Sequence, residues 1–386
     1  MISVDEALTA LFALVEPLDA EIVPLAQANG RVLARPVAAR RDQPPFAASA
    51  MDGYAVIDGS GPFTVIGESA AGHGFGGAVG LGEAVRIFTG APVPGGANRV
   101  IIQEDVTRDG DTITLRENMD TAPYIRPAGG DFAAGAEIAP PRLLRPSDLA
   151  MLAAMNVSEV PVTRRPTVAI IATGDELVMP GEDPGPDQII ASNAVGLAAM
   201  VAETGGLPRV LPIARDNAPS LRTAFEIAQG ADLIVTIGGA SVGDHDLVAP
   251  VAEALGMERA FYKIAMRPGK PLMAGRIGQS AMIGLPGNPV SSLVCGTIFV
   301  LPMLRAMLGL GEHPAPRQRA ELAVDIGPNG PREHYMRARL THEGIAPFER
   351  QDSSLLSVLG DANALLIRPV KDGTRRSGDA VEYVPI

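Results

Sequence analysis

Four acidic residues, Asp175, Glu176, Asp216 and Asp246, follow runs that read as strands of one parallel sheet. Thr173-Gly174-Asp175-Glu176 closes the run 168–172, and Asp216 follows a run ending at Ile213. Asp246 ends the small-residue stretch Gly238 to Asp246, after the unbroken apolar run Leu233 to Ile237. A parallel sheet gathers the loops after its strands at one edge. There the carboxylates meet two loops whose backbone N–H groups and following helix starts suit an anion. One loop carries Gly238, Gly239, Ser241 and Gly243; the other carries Pro286, Gly287 and Asn288. In the second, Asn288 reads as an N-cap and Pro289 as the first helical residue. Carboxylates repel a phosphate unless a divalent cation lies between, and Mg²⁺ is held by hard oxygen ligands and phosphates. Met266-Arg267-Pro268-Gly269-Lys270-Pro271 adds two cations on a stiff turn, a pair suited to an oxyanion. Other readings stay open. Each acid alone also suits a cap or a solvated turn, Gly-Gly after a strand also suits a βα turn that binds nothing, and the cations also suit a surface turn. The loop is neither a Walker A sequence nor G-x-G-x-x-G.

The elements that must position these residues are alternating strands and helices from the joint Arg164-Arg165-Pro166 to about Glu312. Strands are expected at 168–172, 209–213, 233–237, 259–264, 271–274 and 281–285. Helices are expected at 193–204, 218–229, 247–255 and 289–307, giving a doubly wound domain with a parallel sheet. Before it, Ser3-Val-Asp-Glu6 is a capping box that opens a helix through about Leu14. A short strand at 22–25 and a helix over 26–33 are expected next. From Arg40, short strands at 54–57, 63–66, 84–87, 100–103 and 112–115 between Gly, Pro and Asp-Gly turns read as a barrel or sandwich. Ser147 is read as the cap of a helix through Met155, with a strand at 160–162 after it. Beyond the linker 313–316, alternation at 320–324, 335–340, 364–369 and 380–384 reads as a small β domain.

A length of 386 residues predicts several domains. The net charge of −12 argues against a phosphate backbone as partner. Aromatic residues make up 4% and Trp is absent, which argues against base-stacking platforms. The single cysteine, Cys295, reads as a buried small hydrophobe and permits no internal disulfide. No run is read as long enough to span a membrane, and the expected setting is cytoplasmic. The five His residues show no zinc spacing.

Together, SAMDGYA (residues 49–55), FTGAPVP (88–94), TGDEL (173–177), GGASVGDHD (238–246), RPGKP (267–271) and LPGNPVSS (285–292) resemble the molybdopterin molybdenumtransferase family, MoeA, with the gephyrin and Cnx1 E domains as relatives. The resemblance runs the length of the chain. It implies a multidomain α/β plus β protein. A mixed α/β linker domain would comprise 1–40 and 137–163, a β-rich barrel or sandwich 41–136, a MogA/MoaB-like doubly wound domain 164–313, and a C-terminal β domain 317–386. It implies insertion of molybdate into adenylated molybdopterin, with Mg²⁺-dependent release of AMP to give molybdenum cofactor. A homodimer with a cleft shared between subunits is implied too, as is a MogA/MoaB-like adenylyltransferase that delivers the pterin, with no nucleic acid and no membrane. By this resemblance Asp216, Asp246 and Glu176 would hold Mg²⁺. Asp52, Asp175, Glu176, Asp246 and Lys270 would be catalytic. Thr89, Arg267, Arg337, Ser353 and Ser354 would contact substrate along with the two glycine loops. The family most often has Lys where this chain has Arg267, so charge is kept while proton transfer there is put in doubt. Two other readings keep the fold: adenylylation of molybdopterin by the α/β domain, and a non-catalytic pterin-binding scaffold.

Overall fold

The structure is a computed structural model and describes residues 1–239 and 247–386. The chain divides into two compact units, 22–162 and a second formed by 1–21 with 163–386. It opens on α1 (Val4–Phe12), where Ser3 and Glu6 form the expected capping box. The helix stops two residues earlier than its apolar spacing suggests. It buries Val4, Ala7, Leu8, Leu11 and Phe12 in the core of the second unit.

In unit 22–162, β1 (Gly53–Val56), β2 (Phe63–Ser69), β3 (Glu83–Ile87), β4 (Arg99–Ile102), β5 (Val106–Asp109) and β6 (Thr112–Leu115) form a sheet ordered β4-β1-β3-β2-β6-β5. Tyr54, Val56, Phe63, Ala84, Ile101 and Ile113 fill its core. Gly53 is obligatory, because a Cβ there would lie 2.0 Å from the Ile101 carbonyl oxygen of the neighbouring strand. The helix expected over 26–33 is not formed. A single 3₁₀ turn at Leu25–Gln27 is followed by Gly30 at φ +71° and the strand Val32–Leu33. Asn29-Gly30 turns the chain out of the helix before its apolar residues can share a face. α2 (Pro146–Ala154) starts one residue before Ser147, and its cap is the Asp148 carboxylate, which accepts from the Arg145 N–H at 2.8 Å.

The second unit is built on β7 (Thr167–Ala172), α3 (Ser192–Glu203), β8 (Leu207–Val210), α4 (Ala218–Ala228), β9 (Leu233–Ile237), α5 (Val248–Ala254), β10 (Glu258–Tyr262), β11 (Met266–Arg267), β12 (Met273–Ile277) and β13 (Ser280–Leu285). Its main sheet runs β8-β7-β9-β13-β12-β10. The first four strands are parallel, whereas β12 and β10 are antiparallel to their neighbours, so the sheet is mixed rather than parallel throughout. The Gly278-Gln279 turn joins β12 to β13 as a hairpin, which leaves no room for a crossover helix. Alternate residues face opposite layers. Val168 and Ile170 pack with α1, α3 and the 289–307 helix, while Ala169 and Ile171 pack with α4 and α5.

The long helix expected at 289–307 is α6 (Pro289–Cys295), a widened π turn at Gly296–Val300, and α7 (Leu301–Met307). Pro302 cannot donate a backbone N–H, and the preceding turn takes up the misfit, with the Leu301 N–H reaching the Gly296 carbonyl. Contrary to the reading of the sequence, this run has the length and composition of a membrane span; in the fold, 78% of it is buried.

The C-terminal sheet joins β11 to β14 (Gln318–Glu321), β15 (Glu333–Thr341), β16 (Gly344–Pro347), β17 (Ala364–Arg368) and β18 (Ala380–Pro385) in the order β11-β15-β17-β18-β14, with β16 beside β15. Because β11 pairs with β15, the RPGKP turn is tied to the C-terminal segment.

Candidate active site

Loops from separate strands converge at the carboxyl edge of the α/β sheet. Thr173 bridges to Ala214, and the Gly174 N–H donates to the Ala214 carbonyl at 3.1 Å. A Cβ on Gly238 would lie 2.8 Å from the Thr173 carbonyl oxygen, and one on Gly287 would lie 3.5 Å from the Gly238 Cα. A side chain at Gly238 would push the first two loops apart, while the Gly287 contact is ordinary van der Waals packing that brings the third loop beside them. Asn193 holds the third loop by donating from Nδ2 to the Gly287 carbonyl at 2.7 Å. This edge therefore gathers Thr173, Gly174, Asp175, Glu176, Asp216, Gly238, Gly239 and Gly287.

Within the edge, Asp175 Oδ1 accepts from the Asp216 N–H at 3.1 Å. The Glu176 carboxylate folds over Gly174, where a Cβ would meet its Oε2 at 2.5 Å. Arg215 is a residue the sequence reading passed over. Its Nη1 donates to the carbonyls of Asp175 (3.0 Å), Leu177 (3.2 Å) and Gly174 (3.4 Å), clamping the TGDEL turn against Asp216. A basic residue preceding an acid gives no sign of this role. The hard oxygen donors Glu176 and Asp216 have the chemistry for Mg²⁺. Among the described residues no group of three or more His, Cys, Asp or Glu is gathered at metal distance. Asp246, Ser241 and Gly243, named from the sequence for metal and substrate contacts, lie outside the described residues.

Pro286 is buried, and Asn288 occupies the N-cap of α6, but its side chain makes no capping bond. Instead the Val290 N–H donates to the Ser353 carbonyl at 3.1 Å. The C-terminal segment thus satisfies one of the helix's open donors. Ser354 donates from its N–H (2.9 Å) and hydroxyl (2.6 Å) to Asp352 Oδ1, which holds the Asp352 carboxyl below its ordinary range.

Arg267, the last residue of β11, and Lys270, on the turn after it, are exposed. Gly269 has φ +127° and sits on α6, where a Cβ would lie 2.7 Å from Cys295 Sγ. Burial pushes the Cys295 thiol far above its ordinary range, which leaves it inert as a nucleophile. Arg337 is 1% exposed. Burial lowers its pKa, with Asp352 opposing and Arg267 adding to the shift.

Asp52 and Thr89 lie in unit 22–162. Asp52 Oδ1 accepts from the Thr89 N–H and hydroxyl, each at 2.7 Å, and these two bonds hold its carboxyl below the usual range. Arg86 stands beside them, donating to the Gly53 carbonyl at 2.9 Å and lying 4.6 Å from the Phe88 ring centre.

An open α/β sheet whose carboxyl edge carries close glycine loops and carboxylates, in a chain with two exposed cations on a stiff turn, has the groups suited to phosphate or oxyanion chemistry. Comparison with known proteins narrows this class. Three family models match in order: the MoeA N-terminal region (domain I and II) over residues 2–156, a probable molybdopterin binding domain over 169–306, and the MoeA C-terminal region (domain IV) over 319–386. The chain is 35% identical to the molybdopterin molybdenumtransferase of Nostoc sp., covering 99% of this chain and 93% of that protein. It is 32% identical to that of Haemophilus influenzae, covering 100% and 98%. A crystal structure of the molybdopterin biosynthesis MoeA protein of Pyrococcus horikoshii matches with a TM-score of 0.87 at 29% identity, over the whole of both chains. The chain belongs to the MoeA family.

Proposed function

We propose that this protein transfers molybdenum to molybdopterin, the activity named for its relatives. The observation that carries the reading is the meeting of the TGDEL, Gly238-Gly239 and PGNP loops at one sheet edge, in a chain that matches the family end to end. The substrate is adenylated molybdopterin, and the products are molybdenum cofactor and AMP.

The glycine loops and the start of α6 hold the pyrophosphate and pterin, and Arg267 and Lys270 receive molybdate. Arg337 lends positive charge from behind them, and Ser353 and Ser354 lie on the segment that closes the site. Glu176 and Asp216, with Asp246, would hold Mg²⁺, which when bound offsets the charge of the phosphates. Asp175 fixes the backbone at Asp216, and Glu176 orients the attacking oxygen. The division into four domains is kept from the sequence. So are a homodimer in which Asp52 and Thr89 complete the site of the other subunit, a MogA/MoaB-like enzyme that delivers the pterin, and a cytoplasmic setting.

The deciding experiment measures AMP released from adenylated molybdopterin by the purified protein. Release that requires both molybdate and Mg²⁺ is expected. Consumption of ATP to form the adenylate would move the activity to the preceding step, and tight pterin binding without turnover would make the protein a scaffold.

A further inference from the structure

Arg267, His334 and Arg368 stand abreast on three neighbouring strands. Arg267 pairs with His334 across β11 and β15, and His334 pairs with Arg368 across β15 and β17. Residues paired in this way project from the same face of a sheet. The row runs from an exposed guanidinium at Arg267 to a buried one at Arg368, 3% exposed, with His334 between them at 7%. Arg368 is neutralised by Asp372, whose Oδ2 lies 2.7 Å from its Nε. No hydrogen bond joins the His334 ring to another described residue, and its nitrogens are not among the fully buried polar atoms left without a partner.

The charges acting on this ring are cationic: Arg267 and Arg368 beside it in register on β11 and β17, Arg332 just before β15, and Arg337 three residues along β15, on its opposite face. Burial, followed by those four charges, lowers the imidazole to about 4. An anion seated beside Arg267 reverses the balance, because it opposes the arginines and gives the ring N–H an acceptor.

We propose that His334 is a positioning residue of the oxyanion site, taking up a proton when molybdate binds beside Arg267 and so tightening that binding as the pH falls. The proposal rests on the reading of Arg267 as an oxyanion contact. It adds a proton-linked member that the assigned contacts lack.

Titration calorimetry with molybdate, in buffers of different ionisation enthalpy between pH 6 and 7.5, tests it. The wild-type protein is expected to take up protons on binding. Its Kd should fall by about three- to tenfold per pH unit, tenfold being the limit for one linked proton. His334→Gln should bind with a Kd that does not vary with pH and without proton uptake. Proton NMR of the wild-type histidines, with and without molybdate, gives the same answer without a substitution: one imidazole should titrate at higher pH when molybdate is present. Molybdate binding by the wild-type protein with no proton uptake and no shifted imidazole would overturn the role of His334 while leaving Arg267 in place. Undiminished binding by Arg267→Ala would overturn the underlying site as well.

Discussion

One oxygen of Gln351 accepts three hydrogen bonds from Arg337: from its backbone N–H at 3.0 Å and from Nε and Nη2 at 3.2 Å each. The Gln351 amide nitrogen returns one to the Arg337 carbonyl at 2.9 Å, and Nη1 reaches the Asp352 carbonyl at 2.7 Å. A fully buried guanidinium is thus held through hydrogen bonds to neutral acceptors, with the Asp352 carboxylate acting on it only through its charge.

Removal of those acceptors should be costly. Gln351→Leu leaves a buried charge with orphaned donors and should destabilise the protein by about 2–4 kcal/mol. Denaturant unfolding measures this. Gln351→Glu should fold better than the Leu variant yet bind molybdate more weakly, since it neutralises Arg337.

The turn bearing Arg267 and Lys270 depends on Gly269. Gly269→Ala puts a Cβ 2.7 Å from Cys295 Sγ, at a φ that side chains resist. We expect weaker molybdate binding together with a loss of about 1–3 kcal/mol of stability. Cys295→Ala in the same chain should restore part of both, because it removes the steric contact but not the backbone strain. A double-mutant cycle reads the coupling.

Asp232 ties the start of the α/β domain together. Its oxygens accept from both Nη atoms of Arg164 at 2.8 Å and from the Thr167 N–H at 2.7 Å. Burial raises the Asp232 carboxyl, but these bonds outweigh it and the net shift is downward from 3.8. A lowered pKa means that the stabilisation is full above the unfolded value and is lost as pH falls through the folded one. Asp232→Asn should therefore cost about 1–3 kcal/mol at neutral pH, and the gap to wild type should close below about pH 4. Thermal unfolding across pH checks both parts.

At Asp52, the two Thr89 bonds act separately. Thr89→Val removes the hydroxyl and keeps the backbone N–H, so the Asp52 carboxyl should titrate above its wild-type position and still below an ordinary aspartate. Carboxyl carbon NMR follows this directly. If the pair works in the proposed shared cleft, AMP release by this variant should fall while the stability of unit 22–162 stays near wild type.

Local chemistry sufficed for much of this fold. The unbroken run at 233–237 lies within one continuous buried strand, and the Ser3–Glu6 capping box forms as read, because each is decided by neighbours in sequence. The glycines at 174, 238 and 287 pointed to the site through the same logic. What only the tertiary structure decided is who satisfies whom. Asn288 sits where a cap belongs, yet the donor on Val290 goes to Ser353, more than sixty residues away. The reversal of β12, antiparallel to both β13 and β10, follows from a hairpin whose partners were ambiguous in pattern. Arg215 and His334 carry no sequence signal, since a guanidinium is recruited to three carbonyls, and an imidazole set between two arginines, only when separate strands come into register. Sequence sets which groups are present and which backbone shapes they permit; partnership between distant groups is set by packing, where burial makes an unmatched donor or charge too costly to leave alone.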